Sequence, residues 1–177
     1  MSMYVLRVVT GQEEKTCERL RQKGIAAYCP QAMRKVRKRG NWHQQAYLVY
    51  PAYVFVQCND AAEMYYKVRQ EPGVLYWLGA TQGEPEALGG DEESKIRWLC
   101  GAGPLPISKA VRNEKGALDF TSGPLKRLAE LEAIRSVLIR ERRATVELPL
   151  HGKEHKIALS FELEQETVSS NRAGSPP

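Results

Sequence analysis

The spacing of apolar residues changes period repeatedly along the amino-terminal half of the chain, and each change marks an element. "MYVLRVV" (3–9) is a nearly continuous apolar run, the pattern of a buried strand. "TGQEEKTCERLRQKG" follows with helical spacing. Thr10 and Glu13 stand as a capping box, and Gly24 before Ile25 suits a helix stop. "IAAYCPQAM" predicts a second strand, and "RGNW" predicts the turn of a hairpin. The return strand "QAYLVYPAYVFVQC" is apolar at both parities. Tyr47, Val49, Pro51, Tyr53 and Phe55 fall on one side, and Leu48, Tyr50, Ala52, Val54 and Val56 on the other, so both faces need cover. Pro51 removes a ladder donor there and predicts a bulge or a strand start. A helix over "DAAEMYYKVRQ", a strand over "GVLYWLG" and a helix over "GDEESKIRWLC", opened by acids that suit its dipole, complete the pattern.

The order β-α-β-β-α-β-α predicts an α/β sandwich, of the α+β kind, over residues 1–102. The Gly- and Pro-bearing stretch 103–117 reads as a linker. Strands in "LDFTSGPLK", "RRATVELPL" and "EHKIALSFELEQ" predict a small β-barrel over 118–166, and the polar residues 167–177 read as a disordered tail.

The chain has 177 residues, 42% of them hydrophobic, and a formal net charge of +5. A positive balance favours polyanionic partners. It is concentrated in "RKVRKRGNW", where Arg34, Lys35, Arg37, Lys38 and Arg39 precede Trp42. Two readings suit such a run: a solvated loop tip, or a contact to a phosphate backbone with the indole stacked on an unpaired base. The four cysteines are scattered without a C-x-x-C pair, which fits a reducing cytoplasm better than zinc or a disulfide framework. No segment reads as a signal peptide or a membrane span. His151 and His155 have H-x-x-x-H spacing, but no helix or third ligand accompanies them, so no metal site is expected. There is no P-loop and no nucleophile–base constellation, so neither catalysis nor a cofactor is expected.

"YVLRVVTGQEEKTCERL", "YPAYVFV", "EPGVLYWLG" and "GPLK…RRATVEL" occur in this order, and together they resemble the NusG family of transcription elongation factors. The resemblance covers an amino-terminal NGN domain almost continuously and a carboxy-terminal KOW domain more weakly. It implies helices packed on a mainly antiparallel sheet, then a small SH3-like barrel, in a monomeric protein. It also implies that the NGN domain docks on the clamp helices of bacterial RNA polymerase. Carried over by residue, Tyr50, Pro51, Tyr53 and Phe55, with Ile96 and Leu99 of the third helix, form the polymerase-facing patch. The alternative is that these residues are ordinary core. The basic hairpin falls where the family's loop projects toward nucleic acid. Tyr65 and Lys67 fall where some members meet the non-template DNA strand; Tyr65 and Tyr66 point apart on a helix, and the alternative for at least one of them is a place in the core.

Two features depart from the family pattern. "GPLKRLAELEAIRSVLIRERRA" lacks a second glycine after Gly123, and Leu125, Leu128, Leu131, Ile134 and Leu138 recur at helical spacing. This leaves two readings: a distorted barrel, or a helical, fold-switching region like that of the specialised relative RfaH. The turn Leu150, His151, Gly152 and Lys153 replaces an aromatic-Gly-Arg turn by which the family touches Rho or a small-subunit ribosomal protein. These departures suggest a specialised paralog of the LoaP type, an antitermination factor recruited by a nascent leader RNA hairpin. The alternatives are a general elongation and Rho-termination modulator, and an RNA-binding module in ribosome assembly.

Overall fold

The computed structural model describes residues 1–101 and 103–164, so the expectation for the tail lies outside the described residues. In chain order the elements begin with β1 (Ser2–Val8), α1 (Glu13–Gln22), β2 (Ala26–Tyr28), β3 (Gln31–Lys38), β4 (Asn41–Leu48) and β5 (Tyr53–Cys58). They continue with α2 (Ala61–Arg69), β6 (Val74–Trp77), α3 (Gly90–Leu99), β7 (Ser108–Arg112) and β8 (Leu118–Ser122). The last are α4 (Pro124–Glu130), β9 (Ile134–Leu138), β10 (Arg143–Leu150) and β11 (Lys153–Leu163). They fall into two compact units. The first comprises Met1–Gln31, Leu48–Gly103 and Pro149–His155; the second comprises Ala32–Tyr47, Pro104–Leu148 and the chain from Lys156.

In the first unit, β1 and β5 form the centre of a sheet in the order β2-β5-β1-β6, with β1 antiparallel to both β5 and β6. Tyr4, Leu6, Val8, Val54, Val56 and Cys58 turn one face into a core with Cys17 and Leu20 of α1, Val68 of α2 and Trp77. The opposite parity supplies Met3, Val5 and Phe55, all fully buried, as are Ile96 and Leu99 of α3. Cover on both faces is what an apolar run at both parities requires.

Two local expectations are corrected, and a third is met: the strand start expected at Pro51 is that of β5, which begins after a turn at Pro51 and Ala52, where Ala52 has φ 70°. Pro51 has no N–H to give a ladder, so the break falls beside it. The capping box is absent: Gln12 is the N-cap of α1 and makes no side-chain cap bond. Glu13, only 2% exposed, instead accepts the Ala52 backbone N–H at 2.6 Å, pinning that turn. The stretch expected as a linker contains β7, which is paired antiparallel with β8 and parallel with β11.

The second unit holds a five-stranded sheet in the order β8-β7-β11-β10-β9 and the two-stranded β3–β4 ribbon. The helical spacing after Gly123 is realised for only two turns. Leu125 and Leu128 are fully buried on α4, whereas Ile134 and Leu138 lie on β9, with Leu138 exposed. Pairing of β9 with β10 overrides the helix propensity of the second half of this stretch. Gly123 has φ 83°, and a Cβ there would lie 2.6 Å from Ser108 Cα, so the turn before α4 requires glycine. The region is predominantly strand, and the helical alternative does not describe it.

Candidate functional site

The aromatic face of the first unit is built by the turn between β4 and β5 and by the start of β5. Tyr50 packs edge-on against Phe55, ring centroids 5.4 Å apart. Tyr53 is half-buried and carries the Arg7 guanidinium 4.8 Å from its ring centre, a cation–π contact. His155 lies 5.3 Å from Tyr53 in an edge-on arrangement and 6.3 Å from Tyr50. Tyr50, Phe55, Ile96 and Leu99 are therefore buried, while Pro51 is exposed. Burial pushes the Tyr50 phenol well above its usual range. Its hydroxyl has no hydrogen-bond partner among the described residues.

The segment Pro149–His155, part of this unit, bears the turn singled out in the sequence. His151 and Gly152 both take positive φ, 48° and 71°, the geometry of a two-residue hairpin turn. Their backbone N–H groups donate to the two carboxylate oxygens of Glu92 on α3, at 2.8 and 3.0 Å. The His151 ring fits against Gly79, where a Cβ would come within 2.7 Å of Nδ1. Its Nδ1 is 4.0 Å from the Glu86 carboxylate. Leu150 is fully buried and Lys153 is exposed. Burial and the neighbouring Arg7 charge hold the His155 imidazole below its ordinary pKa.

On α2, the Asp60 side chain caps the helix through the Ala62 and Glu63 N–H groups at 2.9 and 3.1 Å. Tyr65 stacks on Trp77 at 6.1 Å, so Tyr66, 69% exposed, is the outward ring. Lys67 is exposed and pairs with Glu63 one turn away at 2.6 Å.

The basic run lies on β3 and its turn, in the second unit. Arg39 and Gly40 both have positive φ, as a tight hairpin turn requires. Arg34, Lys35, Arg37, Lys38 and Arg39 are all exposed. Trp42, directly after the turn, is 66% exposed. The ribbon is anchored by the Tyr47 hydroxyl, which donates to the Ala158 carbonyl, and by a Lys35–Glu162 ion pair at 2.5 Å. Arg34 sits over the Tyr47 ring at 5.2 Å.

The residues expected to meet nucleic acid fall on different units: Tyr65 and Lys67 on α2 of the first, and Arg34, Lys35, Arg37, Lys38, Arg39 and Trp42 on the β3–β4 ribbon of the second. Glu92 and the aromatic contacts of His155 were missed. Nothing in the local spacing of an acidic helix start distinguishes a carboxylate that binds a distant turn from one that serves the helix dipole. Among the described residues no helix is long and apolar enough to cross a membrane. No group of three or more His, Cys, Asp or Glu side chains among them is placed to hold a metal ion.

Comparison with known proteins bears on residues 1–97, which match the family model described as transcription termination factor NusG. Among solved structures, one titled "Domain interaction in Thermotoga maritima NusG" superposes with a TM-score of 0.55 at 22% identity, covering 90% of this chain and 93% of that one. Such a likeness speaks to the fold. The MjSpt4:Spt5 complex matches at 10% identity over 90% of this chain and 99% of that one, but its TM-score of 0.32 is too low to carry an argument. No curated protein matches the chain. Because the family model spans more than half of the 177 residues, and the α+β fold agrees with it, the chain belongs to the NusG family of transcription factors.

Proposed function

We propose that this protein is a cytoplasmic elongation and antitermination factor that binds bacterial RNA polymerase and carries it past terminators. It acts by binding rather than by catalysis. The observation that carries this reading is the half-buried Tyr53 ring next to the buried Tyr50–Phe55 pair, flanked by the exposed Pro51. A partner helix gains large contact area from such rings at modest entropic cost.

In the structure His155 occupies part of this face and Glu92 holds the turn beside it. Engagement of polymerase then requires the tip Pro149–His155 to move off Tyr50 and Tyr53. The basic hairpin supplies sequence-independent phosphate contacts that hold the factor on nascent leader RNA or non-template DNA. Recruitment through a leader hairpin, as in a LoaP-type paralog, fits the unusual His151–Lys153 turn, which lacks the aromatic and arginine of Rho- or ribosome-contacting relatives.

The test is single-round transcription by bacterial RNA polymerase through an intrinsic terminator, with and without the native leader, using wild type and Tyr53→Ala. Readthrough that depends on the leader and is lost in Tyr53→Ala supports the proposal. An effect independent of the leader assigns a general elongation role. No effect on any template, with co-sedimentation on ribosomal subunits, assigns the ribosome instead.

A further inference from the structure

The basic hairpin does not stand alone in the second unit. Lys35 and Trp42 line a groove with Arg140 and Glu141 from the β9–β10 turn and with Ser160 and Glu162 of β11. Its volume is about 620 Å³, within the ~300–1,000 Å³ usual for sites that bury a small organic ligand. We propose that this groove binds a short segment of single-stranded RNA, one base stacked on Trp42 and the flanking phosphates held by Arg140 and the cations of β3. The inference rests on the reading of the protein as one that works on a transcript.

Three observations support that occupant. Trp42 is 66% exposed whereas Trp77 is 5% exposed, so the Trp42 indole presents its surface to solvent at the mouth of a concave site. Stacking on an aromatic ring is the sequence-tolerant way to hold an unpaired base; bases in a duplex are already stacked on each other. The charge has a matching arrangement. Lys35 is paired with Glu162 and Arg143 with Glu141, so both acids are already compensated, and exposed Arg34, Arg37, Lys38, Arg39 and Arg140 give the rim its positive excess.

The same acids favour RNA over DNA. Glu141, Glu162 and the Ser160 hydroxyl place acceptors along the groove, and a ribose 2′-hydroxyl can donate to them. Deoxyribose has no such donor, and its phosphates gain nothing from the carboxylates. Neither the β3–β4 ribbon nor the β9–β10 turn makes this site by itself. The stacking ring comes from one and the unpaired-strand cations from both.

The experiment measures binding of the full chain to a short fluorescein-labelled single-stranded RNA by anisotropy, beside DNA of the same sequence and a duplex RNA. Variants are Trp42→Ala, Trp42→Phe, Arg140→Glu and the triple Arg37→Ala, Lys38→Ala, Arg39→Ala. Loss of one stacked base, ~1–3 kcal/mol, corresponds to a roughly 5- to 150-fold weaker Kd for Trp42→Ala, with most of the affinity kept in Trp42→Phe. Arg140→Glu weakens binding and flattens its salt dependence. Single-stranded RNA binds more tightly than either competitor.

Binding lost in the triple variant but unchanged in Trp42→Ala and Arg140→Glu overturns the groove while leaving nucleic-acid binding intact. Equal affinity for the DNA, or tighter binding of the duplex, overturns the choice of occupant. If wild type binds RNA as expected but has no effect on polymerase in the transcription assay, the elongation reading fails and the groove stands.

Discussion

Replacing Glu92 with alanine tests whether the tip Pro149–His155 is held where the structure has it. The carboxylate accepts a backbone hydrogen bond from His151 at 2.8 Å and another from Gly152 at 3.0 Å. Hydrogen bonds to a charged group contribute about 1.5–3 kcal/mol each, and the half-exposed setting of Glu92 places both near the lower end. Their joint loss is then about 3 kcal/mol. At ~1.4 kcal/mol per tenfold, opening of the turn becomes roughly 100-fold more frequent. Amide hydrogen exchange followed by NMR reads this directly, since His151 and Gly152 exchange through such openings. Glu92→Gln keeps one acceptor oxygen and should fall between. Glu93→Ala is the control, because the Glu93 side chain pairs with Arg97 on the same helix rather than with the turn. Unchanged protection of both amides in Glu92→Ala, or an equal loss in Glu93→Ala, would refute the reasoning.

Two further outcomes follow from the geometry. Gly123→Ala forces a positive φ on a residue with a Cβ and drives that atom into Ser108, for ~1–3 kcal/mol of backbone strain plus the clash. At about 2–4 °C per kcal/mol for a chain of this size, Tm falls by roughly 5 °C or more. Gly116→Ala, also at positive φ but with open space around it, should cost clearly less, and equal costs would sink the argument. His155 titrates below its unfolded value, because burial and Arg7 disfavour the imidazolium. As pH falls below about 6.5, the unfolded chain takes up a proton that the folded one resists, so stability present above that pH is lost toward the lower folded pKa. Thermal melts from pH 7.5 down to 5.5 should therefore show a steeper decline for wild type than for His155→Gln; parallel curves would deny His155 this role.

Much of the frame could be read along the chain because its causes are local. An apolar run at both parities demands a central strand wherever it sits, and both β1 and β5 are central in their sheet. Arg39-Gly40 makes a tight turn because glycine tolerates positive φ, and Gly24 ends α1 at φ 78° for the same reason. The basic run is exposed because clustered like charges resist burial, whatever they bind. Where local preference and pairing disagreed, the sequence left a distorted barrel and a helical region both open, and pairing decided for the strands. The leucines after Gly123 continue a helical period past α4, yet Ile134–Leu138 pairs with β10, since a ladder to an existing strand outweighs propensity differences of a few tenths of a kcal/mol per residue.

Other features had no local cause to read. Cys17 and Cys29 are scattered in sequence, yet their sulfurs lie 2.8 Å apart. Glu13 stands in a capping position by spacing and instead binds a backbone N–H 39 residues away. Glu92 reaches a turn 59 and 60 residues on, and His155 meets two tyrosines from the other side of the chain's midpoint. The sequence alone determined which segments are strands and helices at the centre of the first unit and where charge must face water. Only the tertiary structure decided that the aromatic face is occupied by His155 and that the basic hairpin shares a groove with the β9–β10 turn. Periodicity and turn chemistry act over a few residues, so they are written in short stretches. A hydrogen bond or ring contact between distant segments depends on how the intervening chain closes, and no short stretch carries that information.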